Sequence, residues 1–201
     1  MKKENERIKE AVARLETDGL IEKYFRKGST SFRFYYTHCR YVRDLALRIA
    51  ERHPEMGLDL DFVTKAAMLH DVGICLTWAT EIGCTGKHPY IAHGYLGREL
   101  LDREGYGEYG PVCERHIGVG ITQNEIRRMH LPLPLRDMVP VTPEEKLVCY
   151  ADKFYSKTPE NLTVPKSLEV IRKKLLKYGK DKLGRFNELV ELFGTDAIPP
   201  K

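Results

Sequence analysis

This sequence contains no uninterrupted apolar run approaching the roughly 18 residues that a membrane-spanning helix needs. Its opening, Met1-Lys2-Lys3-Glu4-Asn5-Glu6-Arg7, is charged and lacks the apolar core of a secretory signal, so the cytoplasm is the expected compartment. Cysteine is sparse: Cys39, Cys75, Cys84, Cys113 and Cys149 are odd in number, scattered, and form no C-x-x-C pair. That pattern speaks against a disulfide framework or zinc ribbon and for reduced thiols. No block of one charge dominates, and the formal net charge is +4. The densest basic run, Arg172-Lys173-Lys174-Leu175-Leu176-Lys177, reads as the solvated face of a helix, with a phosphate or nucleic-acid surface as the weaker alternative. No aromatic-interleaved basic motif, β-alternation of useful length, repeat or low-complexity tract is present.

What is present is helix after helix. With 201 residues, 42% hydrophobic and 31% charged, the chain can bury the core of one all-α domain spanning 1–201. Ile8, Val12, Leu15, Leu20, Ile21 and Tyr24 recur at helical spacing, with a break expected near Asp18-Gly19. After Gly28-Ser29-Thr30-Ser31, a second helix carries His38, Val42, Leu45, Ala46 and Ile49 on one stripe and stops before Pro54. Asp59 or Asp61 caps a helix over 62–69, and Gly73 permits a tight exit after it. The glycine-bearing segment 74–87 reads as a loop able to cover a pocket. Pro89 opens a helix to about Glu104 on which Tyr90, His93, Gly97 and Leu100 share a face, and a short helix over 111–117 carries His116. Capping boxes are expected at Thr122-Gln123-Asn124-Glu125 and at Thr142-Pro143-Glu144-Glu145. The helix behind the second aligns Leu147, Val148, Ala151, Asp152 and Tyr155. Two C-terminal helices, about 166–178 and 183–193, divide at Gly179.

Several polar residues stand on these apolar faces. The pair His70-Asp71 ends an apolar run, His38 lies on one buried stripe and Asp152 on another. Buried charges are costly unless paired or bound to metal, so four such groups point to a shared ion. Two imidazoles with two carboxylates suit Fe, Mn, Zn, Co or Ni rather than Mg or Ca. His93 and His116 would complete a second site bridged by Asp71. His53, His88 and His130 read as loop or helix-end residues. Trp78 and Tyr90 are either core aromatics or part of a lid that stacks on a base.

The order His38, His70-Asp71, Asp152 resembles the H…HD…D signature of the HD-domain superfamily of metal-dependent phosphohydrolases. The resemblance runs from about His38 to Lys153 and implies a helical bundle with its core over about 32–160, an N-terminal extension (1–27) and C-terminal helices (161–195). Leu69-His70-Asp71-Val72-Gly73, His93-Gly94, the stretch Glu114 to Thr122 and the stretch Glu144 to Asp152 are similar to the HDIG-type subgroup. That subgroup implies one or two divalent transition ions held by His38, His70, Asp71, His93, His116 and Asp152. Members commonly carry Lys after HDxG, whereas this chain has Ile74. Asp71 and Lys153 are the candidate catalytic residues; Lys153 and Arg115 are the candidate phosphate contacts, and Lys87 reads better as a surface cation. The expected activity is hydrolysis of a small phosphate ester, a nucleotide foremost, by metal-bound hydroxide. A di-iron oxygenase and a nucleotide sensor without turnover are the alternatives. The terminal helices also offer surfaces for a homo-oligomer.

Overall fold

A computed structural model describes residues 17–200. The expected positions Ile8, Val12 and Leu15 lie outside the described residues. Residues 17–24 are helical straight through Gly19, where a break is expected from sequence. A helical glycine costs about 1 kcal/mol relative to alanine. Burial of Leu20 and Ile21 beside it works against that cost.

Eight α-helices follow: α1 (Thr30–Ala50), α2 (Leu60–Leu69), α3 (His93–Arg103), α4 (Gly110–Arg115), α5 (Gln123–Met129), α6 (Pro143–Phe154), α7 (Leu168–Leu176) and α8 (Lys180–Phe193). Caps decide several starts. Ser29 Oγ accepts from the Phe32 N–H at the head of α1, and Asp59 rather than Asp61 caps α2 by accepting from Phe62. Thr122 and Glu125 close a full capping box on α5. On α6 only half of the expected box forms. Thr142 accepts from the Glu145 N–H, but the Glu145 carboxylate turns to Val141 N–H and Arg115 instead. The competing charge takes the side chain away from the cap.

The buried stripe of α1 (Tyr35, His38, Cys39, Val42, Leu45, Ala46, Ile49) faces α2 and α6. Helices α3 and α4 pack on each other, and α8 packs on α6 and α7. One apolar cluster includes Leu20 and Phe25 at one end of the chain and Phe186, Phe193 and Ala197 at the other. Tyr150 anchors α8: its ring stacks on Phe193 at 5.6 Å and its hydroxyl donates to the Gly194 carbonyl at 2.7 Å.

The segment 74–87 differs from expectation. It forms 3-10 turns (Val72–Leu76 and Thr80–Ile82) and a two-residue antiparallel pair, β1 (Trp78–Ala79) with β2 (Cys84–Thr85). No residue of it enters the wall of the large cavity described below. It is an ordered side structure rather than a cover, secured by backbone bonds such as Trp78 N–H to the His88 carbonyl. Among the described residues no helix is long and apolar enough to cross a membrane.

Candidate metal centre

Five helices and the turn after α2 deliver six side chains to one buried place. His38 comes from the middle of α1, His70 caps the C-terminal end of α2, and Asp71 follows it. His93 heads α3, His116 caps the end of α4, and Asp152 lies on the last turn of α6. All are buried except Asp152, which is partly exposed. They form two groups of converging ligand atoms that share one residue: His38, His70, Asp71 and Asp152, and Asp71, His93 and His116.

Asp71 divides its carboxylate between the two groups. Oδ2 stands 3.1 Å from both His38 Nε2 and His70 Nε2, while Oδ1 faces His93 Nε2 at 3.2 Å and His116 Nε2 at 3.5 Å. His38 Nε2 also reaches Asp152 Oδ1 at 3.0 Å.

Three imidazoles are oriented by the same local device. His70 Nδ1 meets the Ala67 carbonyl at 2.8 Å, His93 Nδ1 the Tyr90 carbonyl at 2.6 Å, and His116 Nδ1 the Cys113 carbonyl at 2.8 Å. A carbonyl can only accept, so each Nδ1 carries the proton and each Nε2 presents its lone pair to the centre. Each acceptor lies three residues earlier, so the backbone of the preceding turn sets the tautomer. Lone pairs then face each other, as at His93 Nε2 and His116 Nε2, 3.2 Å apart.

The residues fit a divalent transition ion. His70 Nε2 and Asp71 Oδ1 are buried without a hydrogen bond, although they converge with other ligand atoms. A cation satisfies such a set, and the mixed nitrogen and oxygen donors suit the metals expected from sequence. Burial lowers the His116 pKa to about 4, which keeps this imidazole neutral as a ligand must be. For Asp71, burial works against charge, but Lys157 and then His70 hold the carboxyl well below the ordinary range. Lys153 does the same for Asp152 against its burial. Burial raises the Cys39 thiol and lifts Cys149 to about 11, and neither sulfur belongs to the two groups of converging ligand atoms.

Gly73 acts through close approach rather than through a special turn. A Cβ there would stand 2.0 Å from the His93 carbonyl oxygen and 2.5 Å from the Gly97 nitrogen. Only glycine lets α3 lie against this turn, and that contact brings His93 to Asp71. Behind His116 the backbone runs left-handed through Gly118 (φ 56°), Val119 (φ 64°) and Gly120 (φ 85°). Positive φ at a β-branched residue is strained and must be held by its surroundings. Lys182 and Arg185 of α8 do so, both donating to the Gly120 carbonyl.

A cavity of about 490 Å³ opens from the centre. Its wall includes His38, Asp71, His93, His116 and Asp152 at the inner end. Lys153 is there too, 2.7 Å from Asp152 and donating to the His116 carbonyl. Arg115 is not in the wall. Its guanidinium pairs with Glu145 at 2.8 Å, which ties α4 to α6. Lys87 is exposed and outside the wall, and Trp78, 63% exposed on β1, is also outside; Tyr90 lines the cavity. His53, His88 and His130 take no part in the cluster.

Sequence reasoning missed Lys157. Its ammonium contacts Asp71 Oδ2 directly and lies 6.0 Å from the centre of the Tyr90 ring. Ile74, at the position where a lysine is common, is fully buried, and a positive charge reaches Asp71 from another part of the chain. Helical spacing from Asp152 could not reveal this, because α6 ends at Phe154 and Lys157 lies beyond its cap. Asp71 raises the Lys157 pKa against burial, so the lysine stays cationic.

The geometry and the ligand order agree with a family model described as HD domain, which matches residues 35–156. The chain belongs to the HD domain family. An uncharacterized protein of Methanocaldococcus jannaschii is 36% identical over 122 residues, covering 58% of this chain and 63% of that protein. A tRNA (cytidine(56)-2'-O)-methyltransferase of Thermoplasma volcanium is 27% identical over 180 residues, 89% of this chain and 48% of the relative. A protein of the same name from Picrophilus torridus is 34% identical over 120 residues, 59% of this chain and 30% of its own length. The chain thus spans less than two thirds of each of these relatives. No solved structure matches it. The HD domain here carries a buried His/Asp cluster that can hold a divalent metal.

Proposed function

We propose that this HD domain is a phosphohydrolase of the HDIG type, cleaving a small phosphate ester with a nucleotide as its substrate class. One observation carries this reading: Asp71 turns a separate carboxylate oxygen toward each of two histidine-bearing groups, the arrangement of a bridging ligand. Divalent ions bound there would activate water and neutralise phosphoryl charge. The chain's own residues do the rest. His70, His93 and His116 are locked by backbone carbonyls in the tautomer that ligates through Nε2. Asp71, fully buried and held ionised beside Lys157, would serve the reaction as the ligand shared by both groups. Lys153 and Lys157 line the same wall and place ammonium groups where phosphoryl oxygens would lie. The nucleotide class draws on relatives named for an action on tRNA. Their methyl-transfer name describes proteins of which this chain covers about half or less, so it does not carry the reaction over.

The test is phosphate release from a panel of nucleotides and phosphate monoesters by protein loaded with Mn, Fe, Co or Ni. Release that depends on added metal and is lost in Asp71→Ala supports the proposal. Release undiminished in Asp71→Ala overturns the mechanism. Oxygen consumption by iron-loaded protein without phosphate release replaces it with the oxygenase.

A further inference from the structure

The cavity is larger than a phosphoryl group requires, and part of its wall is built from residues beyond the family-matched segment. Lys166 follows α6, and Lys174 lies on α7; both belong to the cavity wall. The other lysines of the wall have acidic partners: Lys153 pairs with Asp152, Lys157 with Asp71, and Lys182 with Glu125. Among the described residues Lys166 and Lys174 have no such pair. The Lys166 ammonium donates to the Tyr155 carbonyl at 2.8 Å, which uses one of its three protons. Burial, with Lys153 and Lys174 adding positive potential against the pull of Asp152, lowers the Lys166 pKa to about 7. Among the described residues no ion pair repays its desolvation.

The same wall also carries apolar side chains. Ile117, Ile121, Met129, Leu131, Val170 and Leu175 supply them. The cavity volume of about 490 Å³ falls within the range of sites for small organic ligands. One wall therefore carries the His/Asp cluster, two further lysines without an acidic partner, and apolar surface.

We infer that the ligand of this site is a small bisphosphate, with one phosphate at the metal centre, an organic body on the apolar wall, and the second phosphate on Lys166 and Lys174. The first placement rests on the hydrolase reading; the second does not.

The experiment measures binding and chemistry separately. Calorimetry on the purified protein compares matched pairs: adenosine 5'-monophosphate with adenosine 3',5'-bisphosphate, and fructose 6-phosphate with fructose 1,6-bisphosphate. Phosphate release is recorded in the same samples. A charge-assisted contact predicts that the bisphosphate of at least one pair binds about tenfold or more tightly than its monophosphate. Lys166→Met collapses that ratio toward one, and Lys166→Arg keeps most of it. Equal affinities in every pair, or a ratio that survives both Lys166→Met and Lys174→Met, overturn the inference. Selective binding without phosphate release leaves the bisphosphate site standing and removes the hydrolase. Phosphate release without selectivity does the reverse.

Discussion

The inner and outer ends of the cavity are built on opposite principles. At the inner end polar groups are matched: each of three imidazoles is oriented by a carbonyl three residues back, and each carboxylate ligand has a lysine beside it. At the outer end Lys166 and Lys174 face the cavity without a carboxylate of their own. The six His and Asp residues of the cluster lie inside the HD segment, whereas Lys157, Lys166 and Lys174 come from chain beyond residue 156. On the proposed reading the His/Asp cluster serves chemistry and Lys166 with Lys174 serves selection, so substitutions at the two should fail differently.

The largest effect is expected at Asp71. Asp71→Ala removes the carboxylate shared by both ligand groups, and phosphate release should fall by at least about 10³-fold, a barrier increase of about 4 kcal/mol. Steady-state kinetics with a responsive phosphate ester check this. Gly73→Ala should strike the contact rather than a ligand. Its Cβ meets the His93 carbonyl, so α3 must shift. Overpacking of this kind costs about 1–3 kcal/mol, readable as a lower denaturation midpoint. Metal should be lost first from the group containing His93.

Lys166 supplies a contrast in sign. Its folded pKa of about 7 lies below the unfolded value of 10.5. The folded state therefore binds the lysine proton less well, and stability is greatest above pH 10.5. It declines as pH falls from 10.5 to about 7, and is level below that. Lys166→Met should melt at a higher temperature than the parent near pH 7 and lose this advantage by pH 11. A melting series that shows no gain at neutral pH would mean that Lys166 is not desolvated as its position requires. The smallest effect is expected at Arg115. Arg115→Gln breaks the tie to Glu145 and should cost about 1 kcal/mol by denaturant titration, with the Michaelis constant unchanged. An increased Michaelis constant would restore Arg115 as a substrate contact.

The two ends also differed in how well they could be read from sequence. The six converging His and Asp positions were visible because a His or Asp on an apolar stripe breaks the helical pattern, as His38 does among Val42, Leu45 and Ile49. Helix starts at Ser29, Asp59 and Thr122 followed from caps that act within four residues. Long-range pairings were not legible. Glu145 reads as a cap partner until Arg115, thirty residues earlier, competes for it. Lys157 and Lys166 sit outside regular helices, where spacing says nothing about direction, and a surface lysine is the ordinary reading of either. Gly73 was legible as a required glycine, but its cause, the His93 carbonyl, is set by the packing of α3.

Metal content of purified protein and its variants bears most directly on the shared role of Asp71. If that residue joins two ion sites, the parent should hold about two ions per chain, His116→Ala about one, and Asp71→Ala close to none. Asp71→Ala that retains the parent's full metal content would contradict it.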